Sequence, residues 1–191
     1  MNIILKSIKH FNTINKHRWY VFKYSIKAGI PIRGLLHDLS KYSPSEFFES
    51  SKYFVGYRSP THLAKMDKGY SEAWLHHKGR NKHHLEYWED VTDEYSSYYA
   101  AFIPYKYLVE SLCDRISAGM TYKGKEFTHK EPLKYWNNVE RNNKVAKHPG
   151  VVEFFDIVLK KMSDEDIDSA LNSKYLKETY NKIYNKYHKE K

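Results

Sequence analysis

The stretch GLLHDLSKYSPSEFF, residues 34–48, sets a histidine and an aspartate side by side, His37-Asp38, behind an apolar run and ahead of a helix-start signal. Neighbours on a continuous helix point about 100° apart, so two adjacent metal-capable side chains cannot share one face. Two readings stay open: an ordinary exposed helix end, or a bend that lets both side chains lean on one buried ion. Ser43-Pro44-Ser45-Glu46 has the pattern of a capping box with proline in the first turn, so a new helix starts there, with Glu46 as its cap residue. A partial unwinding at Ser40-Lys41, just ahead of that cap, is the expected place for the bend.

Working outward, helix signals dominate. Residues 2–28 read as one long helix or two, ending at Gly29. Pro31 suits the first turn of a second helix, which carries Leu35, Leu36 and the His-Asp pair. Residues 55–70 read largely as loop. Ser71 starts a short helix stopped by Gly79, and another is expected from Asn81 through HHLEYW. Pro104 opens a helix through Gly119 that holds Asp114, and further helices follow from Glu131, from Pro149, after the Ser163–Asp166 cap and over 173–188. Few Val/Ile/Thr alternations and no Asn-Gly turn argue against strands. The prediction is an all-α chain of about eight to ten helices in a single domain spanning 1–191, without repeats or linkers.

Composition narrows the chemistry. No run approaches the roughly 18 apolar residues of a membrane span. The N-terminus is too interrupted by Lys, His and Asn for a signal peptide, which makes a cytoplasmic location the default expectation. The single cysteine, Cys113, excludes an intrachain disulfide and a thiolate zinc cage. Any metal must therefore be held by histidines and carboxylates, a donor set suited to divalent Mn, Fe, Co, Ni or Zn. A formal charge of +9 favours anionic partners such as nucleotides, phosphates or nucleic acid, although generic surface lysine, as in the tail KETYNKIYNKYHKEK, accounts for much of it. The 18 tyrosines follow no stacking motif.

The eleven histidines are unevenly spread. His17 lies on the first long helix, His37 beside Asp38, and His76, His77, His83 and His84 crowd the segment HHKGRNKHH. Asp114 sits in LVESLCDRISAGM, an otherwise mostly apolar and small helix, where an unpaired charge would be costly. The plain structural readings are an Asp114–Arg115 ion pair, a packed His17, a core His37 and a solvated basic loop at 76–84. His10, His62, His129, His148 and His188 read as structural or surface residues, and Trp74, Trp88 and Trp136 as core. Glu49 and Glu72 are candidate general bases.

The order His17…His37-Asp38…Asp114 resembles the HD-domain superfamily of metal-dependent phosphohydrolases. His37-Asp38-Leu39-Ser40-Lys41 is similar to that family's His-Asp-x-Gly-Lys, with Ser40 in place of glycine. The segment also resembles a bacterial and phage family with no assigned activity, whose members carry a similar HDLSK segment and downstream histidine pairs around an asparagine. The superfamily resemblance implies an HD-like helical core over about residues 10–120 with additional C-terminal helices over about 130–191. It implies one divalent transition metal on His17, His37, Asp38 and Asp114, with Asp38 able to bridge to a second. Lys41 would stabilise charge or hold Asp38, and Lys41 and Asp38 are the catalytic candidates. His76, His77, His83, His84 and Arg80 are candidates for a second ion or a phosphate contact. The implied activity is hydrolysis of a nucleotide or other phosphoester. The alternative is a catalytically inactive HD-like domain that binds metal and a nucleotide or protein partner. A basic nucleic-acid-binding protein is a third reading, carried by charge alone.

Overall fold

The structure, a computed structural model, describes residues 2–92 and 97–188; the last three residues of the basic tail, 189–191, lie outside the described residues. The first helix, α1, is a single rod over Ile3–Lys27. Asn2 starts it by accepting the Ile4 N–H at 3.0 Å. It stops at Gly29, whose φ of +78° lies in the left-handed region that ends helices. Its buried residues, His10, Ile14, His17, Val21 and Tyr24, recur every three or four positions. That spacing is one helix face, so the fold itself turns His10 and His17 inward.

The face of α1 lies on α6 (Tyr105–Lys123) and on α2 (Pro31–Leu36). Helix α6 is buried on most sides and carries Leu108, Leu112 and Ile116 into the centre of the core. The C-terminal helices share that same core: Phe154, Phe155 and Leu159 of α8 (Pro149–Asp164) and Leu176 and Ile183 of α10 (Ser173–His188) belong to one apolar cluster with Val21 and Leu112. Residues beyond 130 therefore contribute to the same apolar core as α1 and α6. Between α6 and α8 runs the short α7 (Glu131–Tyr135), continued by one π turn over Trp136–Glu140. A four-residue α9 (Ile167–Ala170) is capped by Asp166, which accepts from the Ser169 N–H.

The N-terminal half of α1 receives α3 (Pro44–Tyr53), whose Phe47 lies against His10, and α4 (Pro60–Lys68) and α5 (Glu72–Arg80) pack against α3. Helix α4 corrects the loop expected over 55–70. Ser59-Pro60 starts it, and Gly69, at φ +79°, closes it by donating its N–H to the Lys65 carbonyl. Those signals were present, but the helix carries few apolar residues and so lacks a visible stripe. The helix expected from Asn81 is also absent: 81–84 is irregular and only a 3₁₀ turn forms over Leu85–Tyr87. Two three-residue strands, β1 (Glu89–Val91) and β2 (Tyr98–Ala100), pair antiparallel with Glu89 opposite Ala100. Among the described residues the fold is predominantly all-α, and no helix is long and apolar enough to cross a membrane.

One close approach places the His-Asp segment. A Cβ added to Gly34 would lie 2.4 Å from Ser25 Cβ and 3.0 Å from the Phe22 backbone, so α2 rests on α1 at a distance only glycine permits. Gly34→Ala is expected to lower stability by about 1–3 kcal/mol through overpacking, read from denaturant unfolding. An unchanged midpoint would show that the two helices tolerate a wider spacing.

Candidate metal centre

Helix α2 ends at Leu36, so the His-Asp pair lies just past it rather than on it. His37 is extended, at φ −56° and ψ 131°, and Asp38 is left-handed, at φ 54° and ψ 28°. Among the described residues Asp38 is the one non-glycine with positive φ. This conformation costs roughly 1–2 kcal/mol for most residues, and aspartate is among the few that visit it. The chain then continues as a 3₁₀ turn over Leu39–Tyr42. The bend thus falls at Asp38, two residues before the expected Ser40-Lys41 position. It does what the sequence demanded: adjacent side chains face one centre.

Arg18, beside His17 on α1, holds the bend. Its guanidinium donates to the carbonyls of Leu35 and His37, each at 2.8 Å, satisfying groups that the end of α2 leaves open. Nothing in the sequence distinguished Arg18 from the other surface cations.

Two sets of ligand atoms converge on Asp38. On one side, His17 Nε2 lies 3.3 Å from His37 Nε2 and 3.1 Å from Asp114 Oδ1, while His37 Nε2 lies 3.2 Å from Asp38 Oδ2. On the other, Asp38 Oδ1 is 3.3 Å from His77 Nε2 and 3.5 Å from His83 Nε2, and His84 completes the set. Within each set one ligand atom per residue lies within 4.8 Å of the others. Each set is therefore a buried His/Asp group able to hold a metal ion. Asp114 also reaches the second side, its Oδ2 lying 3.8 Å from His83 Nε2.

Asn81 brings the second set inward. Its side-chain amide donates to the His77 carbonyl at 2.9 Å and to Ser40 Oγ at 2.8 Å, which ends α5 and ties it to the turn after Asp38. The chain then breaks from helix, and Trp88 donates its indole N–H to the Lys82 carbonyl at 2.7 Å to pin the loop. A helix through 81–88 would have separated His83 from His77; the irregular loop turns both onto Asp38.

Two buried glutamates back the histidines. Glu46 takes His77 Nδ1 at 2.7 Å and His76 Nδ1 at 2.6 Å. It is not the capping-box residue expected: the Ser43 N–H that it would accept already donates to the Ser40 carbonyl in the 3₁₀ turn, and the Ser43 side chain makes no cap bond. Glu110, four residues before Asp114 on the same face of α6, faces His37 Nδ1 at 3.1 Å and His83 Nδ1 at 3.4 Å. That spacing was the signal for Glu110, a second acid on a mostly apolar helix. His76 is held by Glu46 outside both sets, and Arg80 is exposed at the end of α5, so neither joins the cluster. Glu49 and Glu72 sit together at the start of α5, away from the ligand sets.

Electrostatics follow from this crowding. Burial would raise the Asp38 carboxyl, but His37, Lys41 and His77 outweigh it and hold it well below the usual carboxylate range. Burial would raise Asp114 too, and contacts with His17 and His37 bring it well below. Burial works to lower His37, yet Asp38, Asp114 and Glu110 hold its imidazole well above the ordinary value. His77 is raised in the same way, against burial, by Asp38 and Glu46. Burial dominates at His17, His83 and His84, all lowered. Lys41 Nζ sits 2.5 Å from Asp38 Oδ2; burial opposes its charge, and Asp38 and Asp114 raise it above the usual lysine value.

The cluster opens onto a cleft of about 840 Å³, with His17, His77, His84 and Asp114 on its wall and Lys41, Arg58 and Lys134 along it. Residues 6–162 match the model of DUF5662, a family of unknown function, and the chain belongs to that family. The match spans every residue of both ligand sets. No curated protein and no solved structure matches the chain.

Glu49 anchors α5, and with it His77. Its carboxylate accepts the Ala73 N–H at 2.6 Å and the Ser71 hydroxyl at 2.7 Å and pairs with Lys68 at 2.5 Å. Burial opposes ionisation, but Lys68 and these N–H and O–H donors bring the Glu49 pKa below the ordinary glutamate value. A lowered folded pKa stabilises the fold above the unfolded-state value, and that contribution is lost as pH falls through the folded pKa. Glu49→Gln is expected to cost about 1–3 kcal/mol near neutral pH. The gap to the wild type should narrow in chemical-denaturation series as pH drops below the ordinary glutamate range; a gap independent of pH would contradict the assignment.

Proposed function

We propose that this chain is a metal-dependent phosphohydrolase of the HD type, using two divalent transition-metal ions bridged by Asp38 and acting on a nucleotide or another phosphoester. The observation that carries the reading is a set of buried polar atoms without hydrogen bonds. Both carboxylate oxygens of Asp38, Nε2 of His83 and Nε2 of His84 are buried and make no hydrogen bond of ordinary geometry, Asp38 Oδ2 lying in an ion pair with Lys41. Buried polar groups left in that state are costly, and here several of them point at one another. Cations on either side of Asp38 would satisfy them.

His17, His37, Asp38 and Asp114 would hold one ion, and Asp38, His77, His83 and His84 the other. Bound ions of this kind lower the pKa of a coordinated water and stabilise charge on a phosphoryl group. The protein residues supply the rest. Asp38 turns one oxygen to each side, Oδ2 to His37 and Oδ1 to His77 and His83. Lys41 pairs with Asp38 and lies on the cleft wall, where its ammonium would stabilise charge on a phosphoryl oxygen. Arg58 and Lys134 line the cleft, Lys134 near Glu131, and their positive charge suits an anionic substrate. A cleft of this volume suits a ligand of nucleotide size.

Asp38→Asn is the sharpest variant, because asparagine tolerates the left-handed turn while giving up the charge. Elemental analysis of the wild type should find divalent metal in stoichiometric amount, and a phosphoester panel should find turnover. D38N should lose both while keeping its helical circular dichroism. Metal with no turnover across the panel would instead favour an inactive metal-binding domain. A wild type without metal, or a D38N protein with full activity, would refute the proposal.

A further inference from the structure

Glu110 lies behind both ligand sets at once. Its carboxylate is fully buried, and one oxygen, Oε1, faces Nδ1 of His37 and Nδ1 of His83, rings that belong to opposite sides of Asp38. The other oxygen, Oε2, is held by Arg33 of α2 in a two-pronged contact, Nε at 2.8 Å and Nη2 at 2.7 Å. Arg33 in turn lies over the Tyr107 ring, with its guanidinium carbon 4.9 Å from the ring centroid. The three groups form a chain outward from Asp38: imidazole, carboxylate, guanidinium.

We infer that Glu110 is a shared positioning carboxylate, which turns Nε2 of both His37 and His83 toward the ions and thereby couples the two sites. This rests on the two-ion reading above. The chemistry is that of a metal-ligating imidazole whose far N–H is held by an acid, which fixes the tautomer and raises the basicity of the bound nitrogen. Here a single acid performs this for a ligand on each side. Glu110, His37 and His83 also form a possible ligand trio of their own, so Glu110 as a direct ligand is the competing arrangement. Two observations favour the positioning role. Binding an ion through both Nδ1 atoms would turn the rings' Nε2 atoms, now 3.2 Å and 3.5 Å from the Asp38 oxygens, away from ligation at Asp38 or leave each ring bridging two cations. A further cation at Glu110 would also stand against the Arg33 guanidinium already paired there. The two Arg33 donors on Oε2 hold the Glu110 carboxylate in place and leave Oε1 facing the two rings.

The test is a titration with Co²⁺, followed by its visible absorption and by elemental analysis, on the wild type, on Glu110→Gln and on the double variant Glu110→Gln/Arg33→Gln. The double variant removes the guanidinium that E110Q would strand, and so keeps the measurement open if E110Q fails to fold. The wild type should take up two Co²⁺ per chain. The variants should still take up two, with both affinities weaker by about 10–100-fold and the absorption of both ions shifted. Loss of one equivalent with the other unchanged would make Glu110 a ligand and overturn the inference. Unchanged affinities and spectra, even with a lowered melting temperature, would reduce Glu110 to packing and also overturn it. Either result leaves the two-ion reading standing, whereas a wild type that binds no Co²⁺ would overturn both.

Discussion

The left-handed turn at Asp38 is the constraint on which the site depends. A helix through residue 38 would send His37 and Asp38 to different faces, and the two histidine sets would have no common carboxylate. With Asp38 at φ 54°, Oδ2 faces His37 and Oδ1 faces His77 and His83. The energetic cost of that backbone is offset from several directions. Gly34 lets α2 settle on α1, Arg18 binds the open carbonyls, and the 3₁₀ turn carries the chain directly into α3.

Burial then converts geometry into chemistry. Asp38, His37 and His83 are each at most 1 % exposed. In such a place an ionised carboxylate persists only beside compensating charge, and here His37, His77 and Lys41 provide it. Carboxylates stand behind the rings as well as in front of them: Glu46 behind His77, Glu110 behind His37 and His83. A purely structural ion pair would need one acid per base. This arrangement alternates acids and imidazoles through two layers, and its inner surface carries Asp38 oxygens and imidazole Nε2 atoms without hydrogen bonds of ordinary geometry. The open cleft runs beside that surface, with His17, His77, His84 and Asp114 on its wall.

Much of this was legible in the sequence because helix periodicity is a local property. The helical reading of residues 2–28 held for α1, although His10, read as a structural or surface residue, is buried, and the resemblance carried by the order His17, His37-Asp38, Asp114 named four groups that lie together. The failures share one physical cause: tertiary hydrogen bonds overruled local signals. Glu46 resembled a cap because its partner imidazoles lie thirty and thirty-one residues away. The run from Asn81 resembled a helix because nothing local announces that Asn81 folds back on His77 and Ser40. His76 and His77 were indistinguishable by spacing, and only the packing of α5 on α3 separates the inward ring from the outward one. Arg18 could not be told from solvated cations until the end of α2 was seen to need a donor. Helix α4 was missed for the opposite reason, since its start and stop residues were present without an apolar stripe.

The central claim is that Asp38 stands between two metal positions. Anomalous diffraction from crystals grown with Co²⁺, recorded on both sides of the cobalt edge, addresses it directly. The account predicts two peaks flanking the Asp38 carboxylate, one against His17, His37 and Asp114 and the other against His77, His83 and His84. An Asp38 carboxylate bound only to Lys41, with no anomalous density on either side, would contradict it.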